Sequence, residues 1–209
     1  MISDVDAVGL CVASYQNPLL GAWDHFWDGT DPDGICGGIK NNTLVLRGSI
    51  TREDWFRDFE VVKLGPRKFH PEFGSIHAGF DEGLDEFAAK ALPLLSDGAT
   101  FCGHSLGAAH AWLLAGRYIL QAGRPGGIKV FGSPRPGCLQ FAQYVASVPK
   151  SSYRNGLDPV TEVPLVIGDE IAIEPTSFKL LHVTPTDWSE GFMAWHSIHL
   201  YAQGVTASS

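Results

Sequence analysis

The sequence is poor in cysteine and has no long apolar run. Its four cysteines, Cys11, Cys36, Cys102 and Cys138, form neither a CxxC pair nor a metal-ligand spacing, so no zinc site or disulfide framework is indicated. We expect them to be small buried apolar side chains. No apolar stretch approaches the roughly 20 residues that a membrane-spanning helix needs.

Positive charge is also scarce. The 209 residues include 15 Lys and Arg against 23 Asp and Glu, a net charge of −8, with no Lys/Arg-rich run. This balance disfavours nucleic acid as a partner and predicts at most transient contact with a lipid surface. The N-terminus lacks a basic region ahead of an apolar run, so the sequence predicts no signal peptide. We therefore expect a soluble protein, cytoplasmic or released.

What the sequence does contain is an alternation of strand and helix patterns from its middle onward. That alternation predicts a mainly parallel sheet with helices on both faces, an α/β architecture, and the length suits a single domain over residues 1–209. The predicted strands are 35–40, 43–47, 61–64, 99–103, 128–131, 152–155, 164–167 and 178–184. The predicted helices are 4–15, 51–59, 79–95, 105–120, 139–148 and 194–203, with loops over 16–34 and 65–75.

A G-x-S-x-G pattern lies between one of these strands and the helix that follows it. Gly103, Ser105 and Gly107 occupy its fixed positions. Such a turn forces the serine into strained backbone angles and exposes its hydroxyl above the sheet, and small residues on either side let strand and helix approach. Ser105 is therefore the candidate nucleophile, and the backbone N–H of Leu106 is a candidate oxyanion donor.

A serine nucleophile needs a base, and the base needs an orienting acid. In this kind of fold the chain order is serine, acid, histidine. The candidate acids are Asp158, Glu162, Asp169 and Glu170, and the candidate bases are His110, His182, His196 and His199. Asp158 has the best position, because it follows a strand and precedes a proline that fixes a loop. His196 and His199 both begin the last helix, where a late base would lie.

Six segments in chain order carry a longer pattern. They are 44–49 with 54–55 and 58, 77–80, 103–107, 131–137, 153–155 with 158–160 and 164, and 196–201. Together they closely resemble the motifs of the class 3 lipase family, the fungal-type triacylglycerol lipases and their relatives. The resemblance covers most of the chain and implies an α/β-hydrolase fold.

The resemblance also implies roles for individual residues. Ser105 would be the nucleophile, Asp158 the acid and His196 the base, since many family members place this histidine five residues before a tyrosine. Ser49 matches the second oxyanion residue of the family, next to Leu106.

The stretch after Ser49 corresponds to the lid region of the family's lipases. Here it is short and charged, whereas a lid that opens at an oil surface needs an apolar face. This favours smaller or more soluble esters over an interfacially activated lipase. Trp55, His104 and Trp195 are candidate substrate-binding residues, although core packing is the commoner role of a single aromatic side chain.

These observations predict an enzyme, a serine carboxylic-ester hydrolase that forms an acyl-enzyme on Ser105. The expected substrate is a small-molecule or lipid ester, and neither a cofactor nor a metal is expected. A phospholipase, a feruloyl- or carbohydrate-type esterase and an acyltransferase are the alternatives within enzymes. A non-catalytic lipase-like binding protein is the alternative from another class.

Overall fold

A seven-stranded sheet forms the centre of the computed structural model, which describes residues 2–16, 23–48, 64–65, 67–189 and 191–209. The strands are β1 His25–Asp28, β2 Cys36–Lys40, β3 Thr43–Leu46, β4 Leu64–Gly65, β5 Arg67–His70, β6 Gly74–His77, β7 Thr100–His104, β8 Gly127–Phe131, β9 Lys150–Asn155, β10 Val166–Ile167, β11 Glu170–Ile171 and β12 Phe178–Leu181. The strand order of the seven-stranded sheet is β1-β2-β3-β7-β8-β9-β12. The helices are α1 Asp4–Tyr15, α2 Ala78–Asp81, α3 Leu84–Ala91, α4 Leu106–Leu120, α5 Leu139–Tyr144 and α6 Ile198–Ala207, with 3-10 turns at Leu92–Leu94, Pro159–Glu162 and Gly191–His196.

From β3 to β12 the neighbouring strands of the sheet are parallel, whereas β1, β2 and β3 form an antiparallel meander. The parallel strands therefore end at one common edge, with Leu46, His104, Phe131, Asn155 and Leu181 as their last residues. Ligands of such sheets bind beyond this carboxyl edge. The loops that follow these five residues are the ones that build the site.

Helices cover both faces of the sheet, as the sequence predicted. The larger core packs α3, α4 and α5 against one face and includes the fully buried Trp112 and Phe141. The smaller core packs α1 and α6 against the other face around Phe131 and Tyr201. The four cysteines are buried and free, which confirms their predicted role as apolar side chains. Within the described ranges, no helix is long and apolar enough to cross a bilayer.

Two strands lie where loops were predicted. The edge strand β1 occupies part of 16–34, and β5 pairs with β6 across the predicted loop 65–75. The β5–β6 hairpin was missed because its turn contains Pro71 and ends at the positive-φ Gly74 (φ +78°). A sequence pattern with these residues does not distinguish a hairpin turn from an open loop.

Two predicted helices are shorter than expected. The helix over 79–95 is interrupted at Gly83, whose φ is +72° and whose added Cβ would lie 2.5 Å from the Asp33 carbonyl oxygen. The helix over 139–148 ends at Tyr144, and Lys150 Nζ donates to the carbonyl oxygens of Val145, Ala146 and Val148 in the segment that follows it. The predicted helix over 51–59 lies outside the described residues.

Candidate active site

Ser105 lies at a sharp turn between β7 and α4. Its backbone has φ +60° and ψ −132°, a conformation that costs a residue with a side chain roughly 1–3 kcal/mol. The Ser105 N–H donates to the Phe131 carbonyl oxygen at 3.1 Å, which ties the turn to the neighbouring strand β8. The predicted strand–turn–helix at the carboxyl edge is therefore present.

The two glycines of the pattern allow three elements to meet at this turn. A Cβ on Gly103 would lie 2.1 Å from the Gly107 carbonyl oxygen, and a Cβ on Gly107 would lie 2.2 Å from the Leu46 carbonyl oxygen. Both distances join a side-chain atom to backbone, so no rotamer change could relieve them. The strand β7, the helix α4 and the end of β3 can approach only without these side chains.

Leu106 is the first residue of α4. Its N–H belongs to the first four of the helix, which have no acceptor within it, and the helix dipole places partial positive charge here. This geometry suits an N–H that binds an oxyanion next to Ser105.

Asp158 and His196 form a buried pair at the same edge. The His196 Nδ1 lies 2.7 Å from Asp158 Oδ2, and the side chains are 8% and 0% exposed. Asp158 precedes the 3-10 turn Pro159–Glu162, and His196 ends the 3-10 turn Gly191–His196. With Nδ1 bonded to the carboxylate, Nε2 is the ring nitrogen that can exchange a proton with a nucleophile.

Within the described residues, three groups bind the Asp158 carboxylate. Besides His196, the Tyr201 hydroxyl donates to Oδ2 and the Val160 N–H donates to Oδ1 at 2.9 Å. Burial acts to raise the pKa of Asp158, but the His196 ring and these hydrogen bonds outweigh it, and the pKa lies below its usual value. The carboxylate is therefore ionised near neutral pH and can stabilise a positively charged imidazole.

Gly132 allows this pair to approach the end of β8. Its φ is +56°, and a Cβ here would lie 2.8 Å from His196 Cε1 and 2.9 Å from Asp158 Oδ2. A side chain at this position would push the acid and the base away from the strand. The residue before it, Phe131, is the one that accepts the Ser105 N–H.

His104 joins the nucleophile turn to the base. Its Nε2 lies 2.9 Å from the His196 carbonyl oxygen, and the two imidazole rings stack with centroids 4.6 Å apart. Because His104 directly precedes Ser105, the structure brings the candidate nucleophile, acid and base together at one edge.

The other candidate acids and bases have different surroundings. Glu162 pairs with Arg135 and Arg154, and both Asp169 and Glu170 pair with Arg67 on the β5–β6 hairpin. His110 is buried within α4, whereas His182 and His199 are exposed. Among these alternatives, none is described in contact with Asp158.

Two predicted site residues, Ser49 and Trp55, lie outside the described residues. The chain leading to Ser49 is described as far as Gly48. An added Cβ on Gly48 would lie 2.7 Å from Ser105 Cβ. The segment that follows β3 therefore meets the nucleophile turn at Gly48.

The remaining predicted substrate-binding residues are largely enclosed by protein. His104 is 5% exposed, and both its ring nitrogens contact protein atoms, so we do not retain it as a substrate-binding candidate. Trp195 is half-buried, with its ring over Gly156 and edge-on to Trp188 at 5.8 Å. Trp195 adjoins His196 in sequence and stays a candidate for the rim of the site.

Sequence reasoning missed four residues that hold the site, namely Tyr15, Gly132, Asn155 and Tyr201. Gly132, Asn155 and Tyr201 lie inside the segments that resemble the family, so the sequence marked their positions but not their contacts. The Asn155 side chain bonds the backbone at Val183 and Trp195, and its N–H donates to the Tyr201 hydroxyl oxygen. Tyr15 lies 89 residues from its partner His104, and no local pattern indicates that contact.

A positive-φ serine between strand and helix, with a buried histidine–aspartate pair at the same edge, defines the serine hydrolase class of site on an α/β-hydrolase fold. The model of the family Lipase (class 3) matches residues 43–167. The chain therefore belongs to the class 3 lipase family.

The comparisons also identify particular relatives. Secreted mono- and diacylglycerol lipase 1 of Fusarium solani is 31% identical over an alignment of 163 residues, which covers 73% of this chain and 45% of the relative. The chain thus spans less than half the length of that curated relative.

Solved lipase structures share the fold. The triacylglyceride lipase of Rhizomucor miehei superposes with a TM-score of 0.63 at 21% identity over 90% of this chain and 80% of its own. A triacylglycerol lipase whose catalytic centre is a serine protease triad superposes with a TM-score of 0.65 at 20% identity over 94% and 91%. At these identities the likeness establishes the α/β-hydrolase fold, which the sequence predicted.

Proposed function

We propose that this protein is a serine carboxylic-ester hydrolase in which Ser105, Asp158 and His196 are the catalytic triad. The observation that carries the proposal is the 2.7 Å contact between His196 Nδ1 and the buried Asp158, at the edge where Ser105 takes its positive-φ turn. The match to the class 3 lipase family supports the same chemistry.

In the first half of the reaction, His196 Nε2 takes the proton of Ser105 as Oγ attacks the ester carbonyl carbon. The ionised Asp158 holds the imidazole in one tautomer and stabilises the imidazolium without taking its proton. His196 then gives the proton to the leaving alcohol, and an acyl-enzyme remains on Ser105.

In the second half, water replaces the alcohol. His196 takes a proton from water, the hydroxide attacks the acyl carbon, and the acid leaves as Ser105 regains its proton. These steps need only the acid–base chemistry of side chains, so the proposal includes no cofactor.

The oxyanion of each tetrahedral intermediate would be held by the backbone N–H groups of Leu106 and Ser49. The position of Leu106 at the start of α4 supports its role, and the approach of Gly48 to Ser105 supports that of Ser49. One such donor contributes about 3 kcal/mol to transition-state stabilisation.

The proposed substrates are lipid esters, with mono- and diacylglycerols ahead of triacylglycerol. The name of the Fusarium solani relative supports this order. The short charged stretch after Ser49 also supports it, because a charged segment makes a poor apolar lid. The proposed contact with a lipid surface is transient, and no nucleic acid partner is proposed.

The test is hydrolysis of a chain-length series of p-nitrophenyl esters and of emulsified mono-, di- and triacylglycerol. We expect the wild type to cleave esters, and Ser105→Ala to lose at least about a thousandfold in kcat because the nucleophile is gone. Ser197→Ala is the matched control, since Ser197 adjoins His196 but makes no side-chain cap to α6.

Each outcome of this test is informative. Cleavage of every ester by Ser105→Ala at the wild-type rate would contradict the triad. Intact folding with no hydrolysis of any ester would favour the non-catalytic binding protein. Preferential cleavage of phosphatidylcholine or feruloyl esters, tested in parallel, would replace the proposed acylglycerols.

A further inference from the structure

A chain of hydrogen bonds links Gly48, in the segment that follows β3, to His196, the proposed base. The Gly48 N–H donates to the Tyr15 hydroxyl oxygen at 2.9 Å, and Tyr15 Oη lies 2.8 Å from His104 Nδ1. The other ring nitrogen of His104, Nε2, lies 2.9 Å from the His196 carbonyl oxygen. Four residues from four parts of the sequence are thereby linked by three contacts.

The chemistry of its two ends fixes the direction of every bond in the chain. A carbonyl oxygen only accepts, so His104 must carry its proton on Nε2 to meet His196. A neutral imidazole then has a lone pair on Nδ1, which the Tyr15 hydroxyl must fill by donating. The Tyr15 oxygen is left to accept the Gly48 N–H. For a neutral His104 ring, this is the one arrangement of protons that satisfies all three contacts.

Burial keeps that arrangement in place. His104 is 5% exposed. Its pKa is lowered to about 3, mainly by burial and next by the nearby His196 ring. The ring is therefore neutral across the pH range in which an ester hydrolase of this kind works. A charged ring would instead donate from Nδ1 to the Tyr15 oxygen, so the Tyr15 hydroxyl could no longer donate to His104.

The two ends of the chain are the elements that must hold still during the proposed reaction. Gly48 precedes Ser49, the proposed oxyanion residue, and the His196 carbonyl belongs to the proposed base. The middle residue, His104, directly precedes the nucleophile. Tyr15 anchors all three to α1, which packs on the sheet through Ala7, Val8 and Cys11.

We infer that Tyr15 and His104, with the His104 proton on Nε2, are positioning residues. They set Gly48, next to the proposed oxyanion residue Ser49, and the base His196 relative to Ser105. The inference rests on the proposed function, because it assigns these residues to the ester hydrolysis proposed above. Their hydrogen bonds go to the Gly48 N–H and the His196 carbonyl oxygen, which are backbone groups outside the proposed reaction. Their contribution is to hold Gly48 and the backbone of His196 in one geometry.

The first test is Tyr15→Phe, which removes only the hydroxyl. We expect kcat for a p-nitrophenyl ester to fall about tenfold with KM within twofold, because binding is unchanged while the oxyanion donors are misplaced. Labelling of Ser105 by a fluorophosphonate should slow by a similar factor.

The matched control is Tyr153→Phe. Its hydroxyl donates to Asp4 Oδ2 at 2.6 Å and so tethers the same helix, α1, without touching Gly48 or His104. We expect a lower Tm with kcat within twofold of the wild type. Equal losses of kcat in both variants would reduce Tyr15 to a structural tether and overturn the inference, as would an unchanged kcat in Tyr15→Phe.

The second test does not depend on activity. Long-range ¹H–¹⁵N NMR spectra should show His104 protonated on Nε2 alone at pH 7, with its Nδ1 resonance shifting in Tyr15→Phe. A proton on Nδ1 of His104, or a charged His104 ring, would overturn the inference. If the wild type cleaves no ester, the proposed function fails, while these spectra still decide whether the hydrogen-bond chain exists.

Discussion

The nucleophile turn and the acid–base pair share one edge of the sheet, but different forces hold them. Backbone contacts hold the turn, because Gly103 and Gly107 lie where any Cβ would overlap main-chain atoms. Side-chain hydrogen bonds hold the acid–base pair, through Asp158, His196 and Tyr201. A change in the first region should therefore act on folding, and a change in the second on turnover in a folded protein.

The largest effect is expected in the nucleophile turn. Gly107→Ala would place a Cβ 2.2 Å from the Leu46 carbonyl oxygen, so we expect loss of folded protein or destabilisation by about 4 kcal/mol or more. The control is Gly9→Ala in α1, where nothing lies within 4 Å of the added Cβ. That exposed helical position should gain about 0.5–1 kcal/mol. Urea denaturation followed by circular dichroism measures both, and similar stabilities would contradict the steric explanation.

The acid–base pair should respond mainly in turnover. Asp158→Asn keeps the shape of the side chain but loses its charge and favours the wrong imidazole tautomer, so kcat should fall by about 10⁴ while the fold persists. Asp169→Asn is the control, because Asp169 is an exposed carboxylate that pairs only with Arg67 in the described structure. Steady-state kinetics with p-nitrophenyl esters measures both. A loss below tenfold in Asp158→Asn would mean that another acid serves the base.

Glu174 belongs to neither region and should affect stability without affecting turnover. Burial raises its pKa to about 8, and both its oxygens are covered from solvent. The folded protein then keeps a proton that the unfolded chain loses above about pH 4.5, so stability falls as pH rises from about 4.5 to about 8.

Glu174→Gln removes that titration. Between pH 5 and pH 8 the stability of the variant should rise relative to the wild type by about 3 kcal/mol, from roughly 1.4 kcal/mol per pH unit. Urea denaturation at pH 5, 7 and 8 measures the difference. A constant difference across these pH values would show that Glu174 titrates normally.

The smallest effect is expected from Tyr201→Phe, which tests how sharply the two regions separate. The Tyr201 hydroxyl donates to Asp158 and accepts from the Asn155 N–H. Its loss should cost about 1–2 kcal/mol of stability and lower kcat about tenfold, because Asp158 keeps its bonds to His196 and Val160. Combined kinetics and urea denaturation of this variant provide the check. An unchanged kcat would assign Tyr201 to the fold alone.

The same contrast explains how much of the site was readable from the sequence. The G-x-S-x-G pattern at Ser105 lies within five consecutive residues, so it predicted the turn between the strand and the helix. Asp158 and His196 came from chain order and from the resemblance to a family, because 38 residues separate them. Their contact is a product of tertiary folding.

Other features had no local signal at all. The contact of Tyr15 with His104 depends on how α1 docks on the sheet, and hydrophobic periodicity shows only that α1 is a helix. The β5–β6 hairpin was missed because its turn residues resemble those of a loop. The parallel core was predicted well, since its strands are short apolar runs bounded by helices.

The decisive measurement is peptide mapping by mass spectrometry after reaction with a fluorophosphonate. The proposed triad requires a single covalent adduct on Ser105 in the wild type, and labelling slowed at least about a hundredfold in His196→Ala, which lacks the base. An adduct on another residue, or a folded wild-type protein that forms no adduct, would contradict the assignment of Ser105 as the nucleophile.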